Sequence, residues 1–203
     1  LQADSGVVNG LFDESLPTAA GFGWQTGGAA SVENGQGVLS ESPTLASRFM
    51  QQLVMPTGAR ALVFTLVDAD FDAATSGPRD AFEVALLDPQ SMQSLMGGIG
   101  LANTDALFNL QADGTVYRAQ NVSLSAADGT PVTSATAPVY VRIDLDALNA
   151  GQAMTLYFDL IGFGALGSRI VIDDVRFLFE GGNQPPVAQA DSVETAEDTP
   201  LIF

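Results

Sequence analysis

Carboxylates are the main chemical resource of this chain. Its 203 residues include 24 Asp and Glu against 7 Lys and Arg, a formal charge of −17. The acid is biased to the shorter side chain, 17 Asp against 7 Glu. Asp favours turns and suits compact oxygen cages for hard cations. Two places concentrate it. In Asp68-Ala-Asp-Phe-Asp72 three carboxylates alternate, and Asp80 and Glu83 follow a Ser-Gly-Pro loop. Alternate spacing is what an oxygen cage needs, so Asp68, Asp70, Asp72 and Asp80 are candidate calcium ligands; the other reading is a polar strand end with solvated acids. In Ile172-Asp-Asp-Val175, if Val171, Val175 and Phe177 face the core, a period of two turns Asp173 inward and Asp174 outward. A buried carboxylate without a partner is costly. A bound calcium ion would relieve it; backbone N–H groups are the alternative.

The missing residue types narrow the chemistry. There is no Cys and no His, so disulfides, thiol nucleophiles, zinc–thiolate sites, imidazole switches and Ser-His-Asp triads are excluded. All seven basic residues are scattered arginines, at 48, 60, 79, 118, 142, 169 and 176. Schiff-base chemistry is therefore absent, and so are the clustered cations that nucleic acid requires. A glycosidase needs two carboxyls at a defined separation. With 24 acids chance pairs abound, and no catalytic residue is expected. A sugar site would need an aromatic platform with polar neighbours. Tyr117-Arg118, beside the Asp113-Gly114 turn, and Trp24 are the candidates; Tyr140 and Tyr157 are weaker ones. Most of the 12 Phe residues should be core.

These side chains must be positioned by strands. Short apolar and β-branched runs alternate with Gly, Pro, Asn and Asp clusters. Strands are expected near 7–12, 29–33, 36–41, 46–55, 60–69, 80–87, 105–110, 115–122, 138–145, 153–161 and 168–179. Val139, Val141, Ile143 and Leu145 should share an inward face, as should Leu156, Phe158 and Leu160, with Tyr157, Asp159 and Ile161 opposite. Pro89–Met96 could make a turn or two of helix, and Leu145–Ala150 a short turn. This is an all-β pattern, a two-sheet antiparallel β-sandwich of jelly-roll type over residues 1–180. Gly181-Gly-Asn-Gln-Pro-Pro186 reads as a linker. Residues 187–203 are too few for a core of their own and read as the start of another domain. No run reaches the roughly 18 apolar residues of a membrane span.

The ends of the sandwich carry motifs. Asn9-Gly-Leu-Phe-Asp13, Gly23-Trp24, Val32-Glu-Asn-Gly-Gln-Gly-Val-Leu39 and Ile172-Asp-Asp-Val-Arg-Phe177 resemble calcium-containing, carbohydrate-binding-module-like jelly rolls, across residues 7–179. Asp80–Asp88 with Phe158–Gly164 looks like a subgroup from large secreted or surface proteins of environmental bacteria. The resemblance implies one structural calcium held by Asp13 or Glu14 and by Asp173, with backbone oxygens around Glu33–Gly37. It also implies that Trp24 is more often a packing residue. The 68–72 run is similar to half an EF-hand loop, but Ala73 replaces the turn glycine and Arg79 the bidentate Glu, so that loop type is not expected. The tail, Asn183-Gln-Pro-Pro-Val with Glu197-Asp-Thr-Pro-Leu201, resembles the opening of a bacterial cadherin-like repeat. The implied function is a non-catalytic, calcium-stabilised glycan-binding or adhesion module, secreted or on the bacterial cell surface. Its partners would be a polysaccharide or glycan and neighbouring domains of the same chain. The alternatives are a calcium-rigidified spacer, or an accessory domain of a polysaccharide-degrading enzyme.

Overall fold

A computed structural model describes residues 6–72, 78–101, 104–163 and 167–179. Two antiparallel sheets form a β-sandwich, and no helix occurs among the described residues. The strands are β1 (Gln25–Gly27), β2 (Ala29–Glu33), β3 (Gln36–Ser40), β4 (Ala46–Val54), β5 (Ala59–Asp70), β6 (Ala81–Leu87) and β7 (Phe108–Gln111). They continue with β8 (Val116–Arg118), β9 (Val122–Ser125), β10 (Pro131–Val132), β11 (Val139–Asp144), β12 (Ala153–Ile161) and β13 (Arg169–Phe179). One sheet has the order β1-β4-β12-β6-β7-β8, the other β10-β9-β11-β5-β13-β3-β2. The linker at 181–186 and the tail at 187–203 lie outside the described residues.

Alternation decides which side chains fill the space between the sheets. Val139, Val141 and Ile143 of β11 and Leu156, Phe158 and Leu160 of β12 are fully or almost fully buried in one cluster, as their period of two requires. A chain of aromatic contacts crosses the sandwich. Phe158 meets Phe64 at 5.1 Å, Phe82 at 6.3 Å and Trp24 at 6.0 Å, and Trp24 stacks on Phe12 at 5.4 Å.

Four expectations are corrected. Residues 7–12 are a turn-rich segment, not a strand. Asn9 and Phe12 have φ near +54° and +51°, and two left-handed residues in so short a segment break its extended backbone. The segment is docked onto β13: the Val175 N–H donates to the Gly10 carbonyl at 2.8 Å, and a Cβ on Gly10 would stand 2.0 Å from the Val175 oxygen. The expected strand 115–122 is two, β8 and β9, in different sheets. The Pro89–Met96 segment is a turn that ends in an isolated bridge from Ser94 to Leu87.

The fourth correction concerns β13. Ile170 and Ile172 face the core, as do Val175 and Phe177, whereas Val171 lies outside that cluster. Two residues of one phase and two of the other require an inserted residue. The register with β5 shifts between Asp173 and Arg176, and Asp174 takes φ near +52°. A β-bulge therefore switches the strand's phase. Asp173 accordingly belongs to the outer phase and is only half-buried.

Candidate metal centre and outer-face site

Two groups of polar side chains stand out, one at a loop-rich end of the sandwich and one on a sheet face. The first contains Glu41, just past β3, Asp72, just past β5, and Asp80, just before β6. A carboxylate oxygen of each lies within 4.8 Å of the other two. Asp80 is fully buried and Glu41 nearly so. Ser168 organises them. Its hydroxyl donates to Asp80 Oδ2 and accepts the Asp72 N–H at 2.9 Å, and its N–H donates to Glu41 Oε2 at 3.3 Å. The Gly167 N–H also donates to Glu41 Oε2 at 2.9 Å, and the Phe163 N–H donates to Asp80 Oδ1 at 2.7 Å. Gly162 makes room for this: a Cβ there would stand 2.2 Å from Glu41 Cγ.

The donor set is oxygen only and strongly anionic, the chemistry of a calcium or magnesium site rather than of a thiophilic metal. Three carboxylates this close, two of them buried, repel each other, and the chain has no Lys or His. Arg79, Arg142, Arg169 and Arg176 form ion pairs with Asp113, Asp144, Glu33 and Asp174. With three carboxylate oxygens within 4.8 Å of one another, the residues present fit a divalent cation.

The candidate acids thus divide. Asp72 and Asp80 join this group, while Asp68 and Asp70 are exposed at the end of β5 and lie outside it. Asp68 Oδ1 accepts the N–H of its own neighbour Ala69. Glu41 is a member that the sequence reading missed. Nothing local marks it, because its partners are 31 to 127 positions away. Asp13 is exposed, but its charge is felt at Asp173. Burial raises the Asp173 carboxyl above the usual range, with the charges of Asp174 and Asp13 adding and the Asp174 N–H opposing. Glu14 Oε1 is occupied by the Leu16 N–H at 2.9 Å. Asn9 braces this loop by accepting the Glu14 N–H at 3.0 Å and donating to the Glu14 carbonyl at 2.8 Å.

Trp24 is corrected from a sugar platform to a core residue. It is buried, stacked on Phe12, and donates its indole N–H to the Asn9 carbonyl at 3.0 Å. Arg118 is exposed, and its guanidinium donates back to the Val122 carbonyl. Tyr117 is half-buried and pairs with Asn109 across β7 and β8.

That pairing belongs to the second group. Directly opposite partners run in one row across the outer face of the six-stranded sheet: Arg48 (β4), Asp159 (β12), Glu83 (β6), Asn109 (β7) and Tyr117 (β8). Tyr157 stands on the same face two positions from Asp159. The Glu83 carboxyl accepts from Asn109 Nδ2 at 2.7 Å and from the Thr104 hydroxyl at 3.1 and 3.2 Å. Burial pushes the Asp159 carboxyl up to about 7, the charge of Glu83 adds to this, and Arg48 opposes it. The Tyr157 hydroxyl is raised by burial and by Asp159, against Arg48. Asn109 Oδ1 and Thr155 Oγ1, both on this face, are buried and without a hydrogen-bond partner.

No protein-family model matches the chain, and no curated protein matches it. Among solved structures it is similar to TmCBM61, a carbohydrate-binding module solved in complex with β-1,4-galactotriose. The TM-score is 0.35 and the identity 10%, over 88% of this chain and 97% of that one.

Proposed function

We propose that this chain is a non-catalytic, calcium-stabilised module of an extracellular protein, and that it binds a glycan on the outer face of its six-stranded sheet. The row from Arg48 to Tyr117 carries the reading. It offers guanidinium and phenol donors, carboxyl and amide acceptors, and the two half-buried rings of Tyr157 and Tyr117. Sugar hydroxyls, each both donor and acceptor, match such a mixed set, and phenol rings supply apolar area with a polar tip. Calcium at Glu41, Asp72 and Asp80 would tie the ends of β3, β5 and β6 together and relieve their repulsion. A second ion at Asp13 and Asp173 is the expectation carried by the family resemblance. Both would need the calcium levels found outside cells. A polysaccharide panel tested by affinity electrophoresis, with calcium and with chelator, examines the reading. Retardation by at least one polymer, lost in Tyr157→Ala, supports it. Calcium-dependent stability with no polymer bound would favour a spacer.

A further inference from the structure

We propose that the Asp159–Glu83 pair sets which glycans the outer face accepts: it admits polymers of uncharged sugars and turns away those bearing uronate carboxylates. This rests on the reading of that face as a glycan site.

The two carboxyls are direct cross-strand partners on β12 and β6, so their Cβ atoms stand roughly 5 Å apart. The groups around them are not symmetric in charge. On the Glu83 side, Asn109 and Thr104 donate as neutral amide and hydroxyl, so hydrogen bonds satisfy that carboxyl without cancelling its charge. On the Asp159 side stands Arg48, opposite it across β4. Recognition of a carboxylate generally uses an arginine fork. Arg48 stands opposite Asp159, where its charge opposes the upward shifts of the Asp159 and Tyr157 groups, and Arg118 at the far edge of the sheet is turned back onto Val122. A uronate placed on this row would meet two carboxyls against the single guanidinium of Arg48, which stands opposite one of them.

The polar groups beside the pair are buried or already engaged with it. Asn109 is 3% exposed, and its Oδ1 has no partner. Its Nδ2 is on Glu83, so the unmet acceptor sits beside the pair. That oxygen is closed to solvent, and the Asn109 amide is spent on Glu83. Asp159, partly protonated near neutral pH, adds one more donor and lets the two carboxyls lie side by side.

The test uses glucomannan, galactan and starch, each as the neutral polymer and after oxidation of its C6 hydroxyl to the uronate. Affinity electrophoresis in calcium at 0.15 M salt gives the ratio of uronate to neutral affinity. The wild type should prefer the neutral form by tenfold or more. In Glu83→Gln/Asp159→Asn the ratio should rise at least tenfold, about what one unit charge at this range supplies. Asp128→Asn/Asp146→Asn removes the same charge from exposed turns off this face and should leave the ratio within about threefold. If the double variant does not fold, the two single variants are compared in its place. A wild type that takes the oxidised polymer as well as the neutral one overturns the proposal. So does a ratio that the Glu83/Asp159 change leaves alone, or one that the distant control moves equally; in these cases the glycan reading stands. If no polymer in either form binds, the glycan reading itself falls, and the proposal with it.

Discussion

Replacing Asp159 by Asn isolates one proton. In the folded chain this carboxyl titrates at about 7, against the ordinary 3.8. A raised carboxyl binds its proton more tightly in the folded state than in the unfolded one. Its contribution is therefore complete below the unfolded value, near 3.8, and is lost as pH rises through about 7. At pH 5 the folded side chain is nearly all protonated and the unfolded one nearly all ionised. At pH 8 both are ionised. The wild type should thus gain roughly 2.5 kcal/mol from Asp159 on going from pH 8 to pH 5, at about 1.4 kcal/mol per unit of pKa. Asn has the shape of the protonated acid and does not titrate. The difference in unfolding free energy between wild type and Asp159→Asn should therefore change by that amount across the interval. In a chain of this length the relative Tm would move by roughly 5–10 °C. Urea unfolding followed through Trp24, the single tryptophan, at pH 5, 6, 7 and 8 in chelator gives the numbers. Comparing the two proteins cancels the other acids. Glu83→Gln removes the neighbouring charge and should shrink the swing. A wild-type-minus-variant difference flat to within about 0.5 kcal/mol over this range would refute the account of the pair.

Calcium at 100 times its dissociation constant should stabilise the wild type by roughly 2.7 kcal/mol per site. Asp80→Asn or Glu41→Gln should remove the larger part of the Tm rise, Asp70→Ala should leave it, and Asp173→Ala should report on the N-terminal pair alone; a calorimetric calcium titration reads all of them. Gly10→Ala should cost more than about 3 kcal/mol in denaturant unfolding, because its Cβ would lie 2.0 Å from the Val175 oxygen and overpacking against backbone has little room to relax. Trp24→Ala should cost about 3–5 kcal/mol, as for a large aromatic removed from a core, while glycan affinity of the folded fraction stays unchanged; a selective loss of affinity would return Trp24 to the binding face.

Period and composition carried the architecture. The alternation in Val139–Leu145 and Leu156–Leu160 gave the inward faces correctly, since one buried sheet face requires a period of two. The same rule failed at β13 because one inserted residue, with Asp174 at φ near +52°, reverses the phase, and nothing in Ile172-Asp-Asp-Val marks the insertion. It failed again at residues 7–12, where an apolar run is held by Gly10 lying on Val175 rather than by a ladder. Trp24 was ambiguous for a related reason: a lone aromatic after a glycine reads the same whether it is stacked on Phe12 or open to a ligand.

The acid excess and the missing Lys, His and Cys belong to the sequence alone. They limited the chemistry to oxygen ligands and hydrogen bonds before any strand was placed. Which carboxylates meet was decided by tertiary structure. Glu41 reaches Asp72 and Asp80 through the ends of three strands, and Asp159 faces Glu83 only because β12, distant in sequence, inserts beside β6. A sequence lists its charges in one dimension. Their energies depend on separation and burial in three, and antiparallel pairing between distant strands sets both.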